Sequence, residues 1–188
     1  MMEEYGLVLD YLPLGRSDDV RREPIAHIIG EKFFTLLEVV AKPGVQMNAG
    51  ERLYIGKDIS LRDKVERVKN RIEYPQITTS ARNELKNVIK KIVESKEKEF
   101  VDFFNHCGSI TIRQHQLELI PGIGKKHLTE ILAEREKKPF ESFADMSERI
   151  SHIQSPAEII AERVIEELQG SRYYIFSRPP VPERPRWR

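Results

Sequence analysis

The chain has a single cysteine, Cys107, which leaves no partner for an internal disulfide and no Cys-x-x-Cys pair for a zinc knuckle. Long apolar runs are also missing. The greasiest stretch, Phe33 to Ala41, is interrupted by Thr35 and Glu38 and falls well short of the ~20 residues that a membrane-spanning helix needs. At the amino terminus Glu3 and Glu4 stand where a secretory signal would carry basic residues ahead of an apolar segment, so a cytoplasmic protein is expected. His27, His106, His115, His127 and His152 never meet Cys, Asp or Glu at a metal-ligand spacing, and neither GxSxG nor a P-loop occurs. The expectation is a non-enzyme with no metal, no cofactor and no catalytic residue.

Net charge is scarce as well: 31 basic against 30 acidic residues give +1. The balance is uneven along the chain. Residues 61–110 hold 11 basic and 8 acidic groups and residues 171–188 hold 5 and 1, whereas residues 1–60 hold 7 and 10 and residues 111–170 hold 8 and 11. A phosphate polymer would therefore be drawn to the middle segment and the tail, through local patches and not a global field.

What is present is the composition of a folded chain, 39% hydrophobic and 32% charged, long enough for one ordinary domain or two small ones. Loose alternation over Tyr5 to Leu12 predicts a strand that ends at Pro13 and Gly15. A polar loop carrying Arg16, Arg21 and Arg22 follows, then strands over His27 to Ile29, Lys32 to Ala41 and Arg52 to Ile55, with turn signals at Pro43, Gly44 and Gly50. Short strands separated by turns suggest a small barrel. Leu61, Val65, Val68 and Ile72 then recur at steps of three and four, predicting a helix that Pro75 stops. A longer helix is expected from Ser80, with Leu85, Val88, Ile89, Ile92 and Val93 on one side, continuing through Phe100, Phe103 and Phe104 to a stop at Gly108.

The stretch that carries chemistry starts at Thr111. Thr111 and Gln114 form a potential capping box for a short helix that reaches Leu119. Ile120, Pro121, Gly122, Ile123 and Gly124 form a bend, and Lys125 opens a second helix whose inner side is Leu128, Ile131 and Leu132. Glycines at 122 and 124 allow positive torsions and remove side chains that would hold a ligand away, while Ile123 plugs the core. The amides of Gly122, Gly124 and Lys125 then face outward at a helix amino end, where unpaired donors and the helix dipole attract an anion such as phosphate. A second, degenerate copy spans 151–156. Ser142 with Asp145 and Ser155 with Pro156 and Glu158 mark helices from Phe143 to Ile150 and from Pro156 to Leu168, but the hairpin glycines are absent, so this copy reads as mainly architectural.

The run Leu119 to Lys126 resembles the hairpin of helix-hairpin-helix proteins. That resemblance implies backbone-phosphate binding through main-chain groups, with Gly122, Ile123, Gly124, Lys125 and Lys126 at the contact. Over nearly its whole length, on Tyr5 to Tyr11, Gly50 to Lys57, the hairpin and Arg172 to Phe176, the chain also resembles an uncharacterised archaeal family of RNA-binding character. That family joins an OB-like or S1-like barrel to a helix-hairpin-helix pair. The resemblance implies RNA in preference to DNA, with Tyr11, Phe33, Phe34 and Tyr54 as candidates for stacking on bases. In the tail, Arg172 and Arg178 are interleaved with Tyr173, Tyr174 and Phe176, which suits either an extended nucleic-acid contact or a strap along the barrel.

The sequence thus predicts an α+β protein: an OB-like β-barrel with a connecting helix over 1–75, a helical domain over 76–170 with hairpins at 120–125 and 151–156, and an extended basic tail over 171–188. The expected role is non-catalytic nucleic-acid binding. Two alternatives stand beside it: a protein–protein module of a translation or transcription assembly, and a DNA-repair glycosylase-like enzyme using Asp145, which follows the hairpin at about twenty residues but reads as the capping partner of Ser142.

Overall fold

The structure is a computed structural model that describes residues 2–16 and 22–180. The chain divides into two compact units, Met1–Glu84 with Glu166–Arg188, and Leu85–Ile165.

The first unit is built on five strands: β1 (Tyr5–Leu12), β2 (Ile25–Gly30), β3 (Leu36–Ala41), β4 (Arg52–Tyr54) and β5 (Val65–Arg71). They form one antiparallel sheet in the order β4-β1-β2-β3-β5, curled into a half-barrel. The centre of the sheet, β2 and β3, is buried on both faces, which is why these segments read as continuous apolar runs and not as alternation. One face carries Val8, Ala26, Ile28, Val39 and Leu53, the core of the half-barrel. The opposite face carries a polar group in its middle. Glu38, 2% exposed, lies 3.2 Å from Arg16, 3.4 Å from His27 and 3.0 Å from Lys69.

The helix expected across 61–72 is strand β5 instead. Its pairing with β3 slips twice, between Glu38 and Val39 and between Val40 and Ala41, so Val39 faces Val68 and Ala41 faces Val65. Each bulge adds a residue to β5, turning a two-residue alternation into the three-residue step that mimics a helical period. A further irregularity between Val8 and Asp10 bends β1, and bulges of this kind are what curl a sheet.

A single buried carboxylate closes each end of the unit's loops. Glu3, 6% exposed, accepts from the amides of Lys32, Phe33 and Thr35. It fixes the β2–β3 turn, where Phe34 adopts a φ of 50°. Glu167, 1% exposed, accepts from the amides of Ile175, Phe176 and Ser177 and from the Ser177 hydroxyl. That grip, with Arg178 N donating to Phe33 O, makes the segment 175–178 an irregular strap on this unit. The rest of the basic tail, with Arg184, Arg186, Trp187 and Arg188, lies outside the described residues, as does Arg21 of the β1–β2 loop.

The second unit is mainly helical. The long helix expected from Ser80 is two: α1 (Thr79–Ser95) and α2 (Glu97–His106) are separated at Lys96, whose φ of −119° and ψ of 28° leave the helical region. The break falls in a run without apolar residues, Glu94 to Glu99, where nothing holds a continuous helix to a core. Two short strands, β6 (Ser109–Thr111) and β7 (Gln114–His115), come next, followed by a 3-10 turn over Gln116–Leu119. Here the expectation of a helix capped by Thr111 fails. The capping box is four residues later, with His115 accepting from Leu117 N and Glu118 accepting from His115 N. α3 (Lys125–Lys137), α4 (Phe143–Arg149) and α5 (Pro156–Gln169) complete the unit, close to the expected bounds, and α5 runs on into the first unit. Arg135 ties α3 to α2 by donating to Phe104 O and Cys107 O at the α2 carboxyl end, where orphan carbonyls need partners.

Candidate functional site

The bend from Ile120 to Gly124 is held from within. Ile120 and Ile123 are 1% and 4% exposed, and Ile123 N donates to Ile120 O at 3.1 Å. Ile123 is therefore buried, as the core plug that the sequence suggests. Pinning these two side chains inward turns the intervening backbone outward: Gly122, Gly124, Lys125 and Lys126 are all exposed.

The two glycines differ. Gly122 has a φ of +82°, the left-handed region where a Cβ is penalised. Gly124 is the N-cap of α3 with a φ of −87° and ψ of −178°, extended backbone open to any residue, so its expected positive torsion is not found. A Cβ built on either glycine would meet nothing within 4 Å. Torsion accounts for Gly122, while neither torsion nor packing inside the protein calls for glycine at 124.

The α3 amino end is electrostatically open. No side chain caps it and its first turn contains no acidic residue. The amides of Lys125 and Lys126 have no carbonyl a turn earlier to receive them, and the positive end of the helix dipole lies there. His127 steadies the bend by donating from Nδ1 to Gly122 O at 2.8 Å, and its ring stacks on that of His152 at 3.5 Å and 17°. His152 also lies 3.2 Å from Glu130, and burial, followed by the nearness of His127, holds its pKa below the usual histidine value.

The second bend repeats the first. Ile150 and Ile153 are 0% and 1% exposed, and Ile153 N donates to Ile150 O, again at 3.1 Å. It presents His152 and Gln154 where the first bend has glycines: the His152 ring stacks on His127 and Gln154 Nε2 donates to Ser151 O. Asp145 nearby is occupied: it accepts from Glu141 N at 3.0 Å and pairs with Arg149 at 3.1 Å. Burial acts to raise its pKa, but these two partners prevail and hold the carboxylate below its ordinary range.

The remaining candidates lie elsewhere. Phe34 is core, the Tyr11 hydroxyl donates to Val45 O, and Tyr54 meets Tyr5 edge to face at 5.2 Å. Phe33 lies under the Arg178 guanidinium, 3.6 Å from the ring centroid. Arg172 is exposed, 5.2 Å from the Tyr173 ring. Arg71 was not singled out by any local pattern, yet it donates to Arg178 O and Pro179 O at 3.0 Å each. A separation of 107 residues hides that pairing from any reading of local sequence. No helix among the described residues is long and apolar enough to cross a membrane.

The described geometry has counterparts in known proteins. A family model described as "Protein of unknown function (DUF655)" matches residues 2–178. The "Uncharacterized protein MJ0038" of Methanocaldococcus jannaschii is 46% identical over 177 residues, spanning 93% of this chain and 79% of that protein. The crystal structure of Af1531 from Archaeoglobus fulgidus, assigned to the same family, superposes with a TM-score of 0.87 at 46% identity, covering 94% of this chain and 100% of that one. A family match over almost the full length, two archaeal relatives at this identity and a shared fold make the chain a member of the DUF655 family.

Proposed function

We propose that the protein binds nucleic acid, RNA in preference to DNA, by seating a backbone phosphate on the amino end of α3. The amides of Gly124, Lys125 and Lys126 donate to the phosphate oxygens, and the Lys125 and Lys126 ammonium groups supply charge. The observation that carries this reading is Gly124: it is exposed, in an extended conformation, with empty space where its Cβ would be. A glycine that the protein's own packing does not need suits a surface approached closely from outside. The two bends, each pinned by a pair of buried isoleucines and the same 3.1 Å turn bond, support reading the second unit as a helix-hairpin-helix pair with one open and one closed member. Strand number and curl support reading the sheet as OB-like. The preference for RNA rests on the family resemblance.

Gly124→Val tests the reading. Its torsion permits valine, so the variant stays folded with its unfolding midpoint lowered only by the poorer N-cap, while loss of one charge-assisted amide contact weakens binding of structured RNA by about tenfold. An unchanged affinity in the folded variant overturns the proposal and leaves the interaction-module alternative, whose protein contacts would be insensitive to salt.

A further inference from the structure

The first unit holds two hollows that share a pair of arginines. One, of about 170 Å³, is lined by Leu37, Ile55 and Val68 of the half-barrel together with Met2, Glu3 and Thr35. The other, of about 200 Å³, is lined by Leu36, Ile72, Tyr74 and Pro75, with Glu73 and Glu167 at its border. Arg71 and Arg178 border both. An apolar cavity of ~150 Å³ accepts benzene, so each hollow has room for one six-membered ring.

The cations between them are held in place. Arg71, the last residue of β5, is anchored by its bonds to Arg178 O and Pro179 O, and Arg178 lies flat against Phe33. The acids facing Arg71 are engaged with backbone: Glu3 holds the amides of Lys32, Phe33 and Thr35, and Glu73 shares a capping box with Gln76. Burial, then the charge of Arg178, depresses the Arg71 pKa from the ordinary arginine value. Two guanidinium groups that border the same hollows offer paired donors to a bridging anion.

We infer that this pair of hollows binds a dinucleotide step of single-stranded nucleic acid, its phosphodiester between Arg71 and Arg178 and one pyrimidine ring in each hollow. Two ring-sized spaces bordering one cation pair match the base–phosphate–base repeat of a single strand, and their size favours one ring over the fused pair of a purine. The site is separate from the α3 bend and stands or falls independently of it.

Amide NMR titration of the full chain with the dinucleotides UpU, dTpdT and ApA, and with inorganic phosphate, tests the inference. UpU or dTpdT is expected to shift the amides of Leu37, Val68, Arg71 and Arg178 and to saturate, with ApA at least ~tenfold weaker and phosphate weaker still. The tighter of the two pyrimidine ligands names the strand. Val68→Phe fills one hollow without touching the strap or the charges, and Arg71→Ala removes one cation; each should cost at least ~tenfold in affinity, whereas Lys86→Ala changes nothing. Phosphate binding as tightly as UpU, affinity unaltered in both variants, or shifts confined to Gly122 to Lys126 overturns the inference.

Discussion

Two histidines in this protein act as acceptors where their protonated form has only donors. His27 Nδ1 receives the Thr78 amide at 3.3 Å and His115 Nδ1 receives the Leu117 amide at 3.1 Å. Protonation would set one N–H against another in a buried place, and burial accordingly pushes both pKa values below 6.5, with Glu38 pulling His27 partly back. The unfolded chain then binds protons that the folded one refuses, so stability is constant above pH ~6.5 and falls as the pH drops below it. Urea unfolding at pH 7.5 and pH 5.5 should show the midpoint falling on acidification. His115→Asn, whose Oδ1 can accept the same amide without titrating, should remove its share of the slope; an unaltered slope would contradict the assignment. Glu167 works as a clamp in the same sense. Glu167→Gln replaces an acceptor with a donor facing the amides of residues 175–177, which should cost roughly 2–3 kcal/mol and speed hydrogen exchange at those amides. Slow exchange there in the variant would show the strap to be held by something else.

At the level of elements, the proposed binding would set stability against affinity at α3. Its N-cap glycine forgoes a side-chain cap, which Asp would provide, so Gly124→Asp should stabilise the fold by a few tenths of a kcal/mol. The same carboxylate occupies the amides that a phosphate needs and repels it, so nucleic-acid affinity should fall steeply in a protein that unfolds no earlier. Thermal unfolding beside a binding titration reads both signs; affinity lost together with stability would mean that the bend had merely been damaged. The bend was legible in the sequence because its signals are local: Pro121, two glycines and Ile123 within a few residues fix a turn whatever surrounds it. β1 to β3, α4 and α5 were legible for similar reasons of period and capping. β5 was not, since two bulges gave Val65 and Val68 a helical spacing, and only pairing with β3 reveals them. Thr111 to Leu119 was misread because Thr-x-x-Gln has the form of a capping box, yet its tip, with Ile112 fully exposed, belongs to a tight β6–β7 turn.

Over the whole molecule, charge counted by segment does not show which cations are already paired. Residues 61–110 have a surplus of cations, but acids brought from elsewhere in the chain take many of them: Lys86 pairs with Glu158 and Glu162, Lys64 with Glu51, Lys69 with Glu38 and Arg67 with Glu23. Lys86 is the telling case, for its two carboxylate partners raise its pKa while cancelling its field. With a net charge of only +1, long-range attraction contributes little, so on the proposed reading affinity comes from the few cations placed to touch phosphate. For about three neutralised phosphates, counterion release gives a slope of log K against log salt between about −2 and −3, gentler than that of strongly basic proteins. Lys125→Ala with Lys126→Ala should flatten that slope by about 1, the share of the one phosphate they neutralise together, while Lys86→Ala leaves it unchanged. Equal flattening by both would mean that the bound polymer senses the middle segment as a diffuse field; a steep slope untouched by either would move the phosphate contact away from α3 altogether.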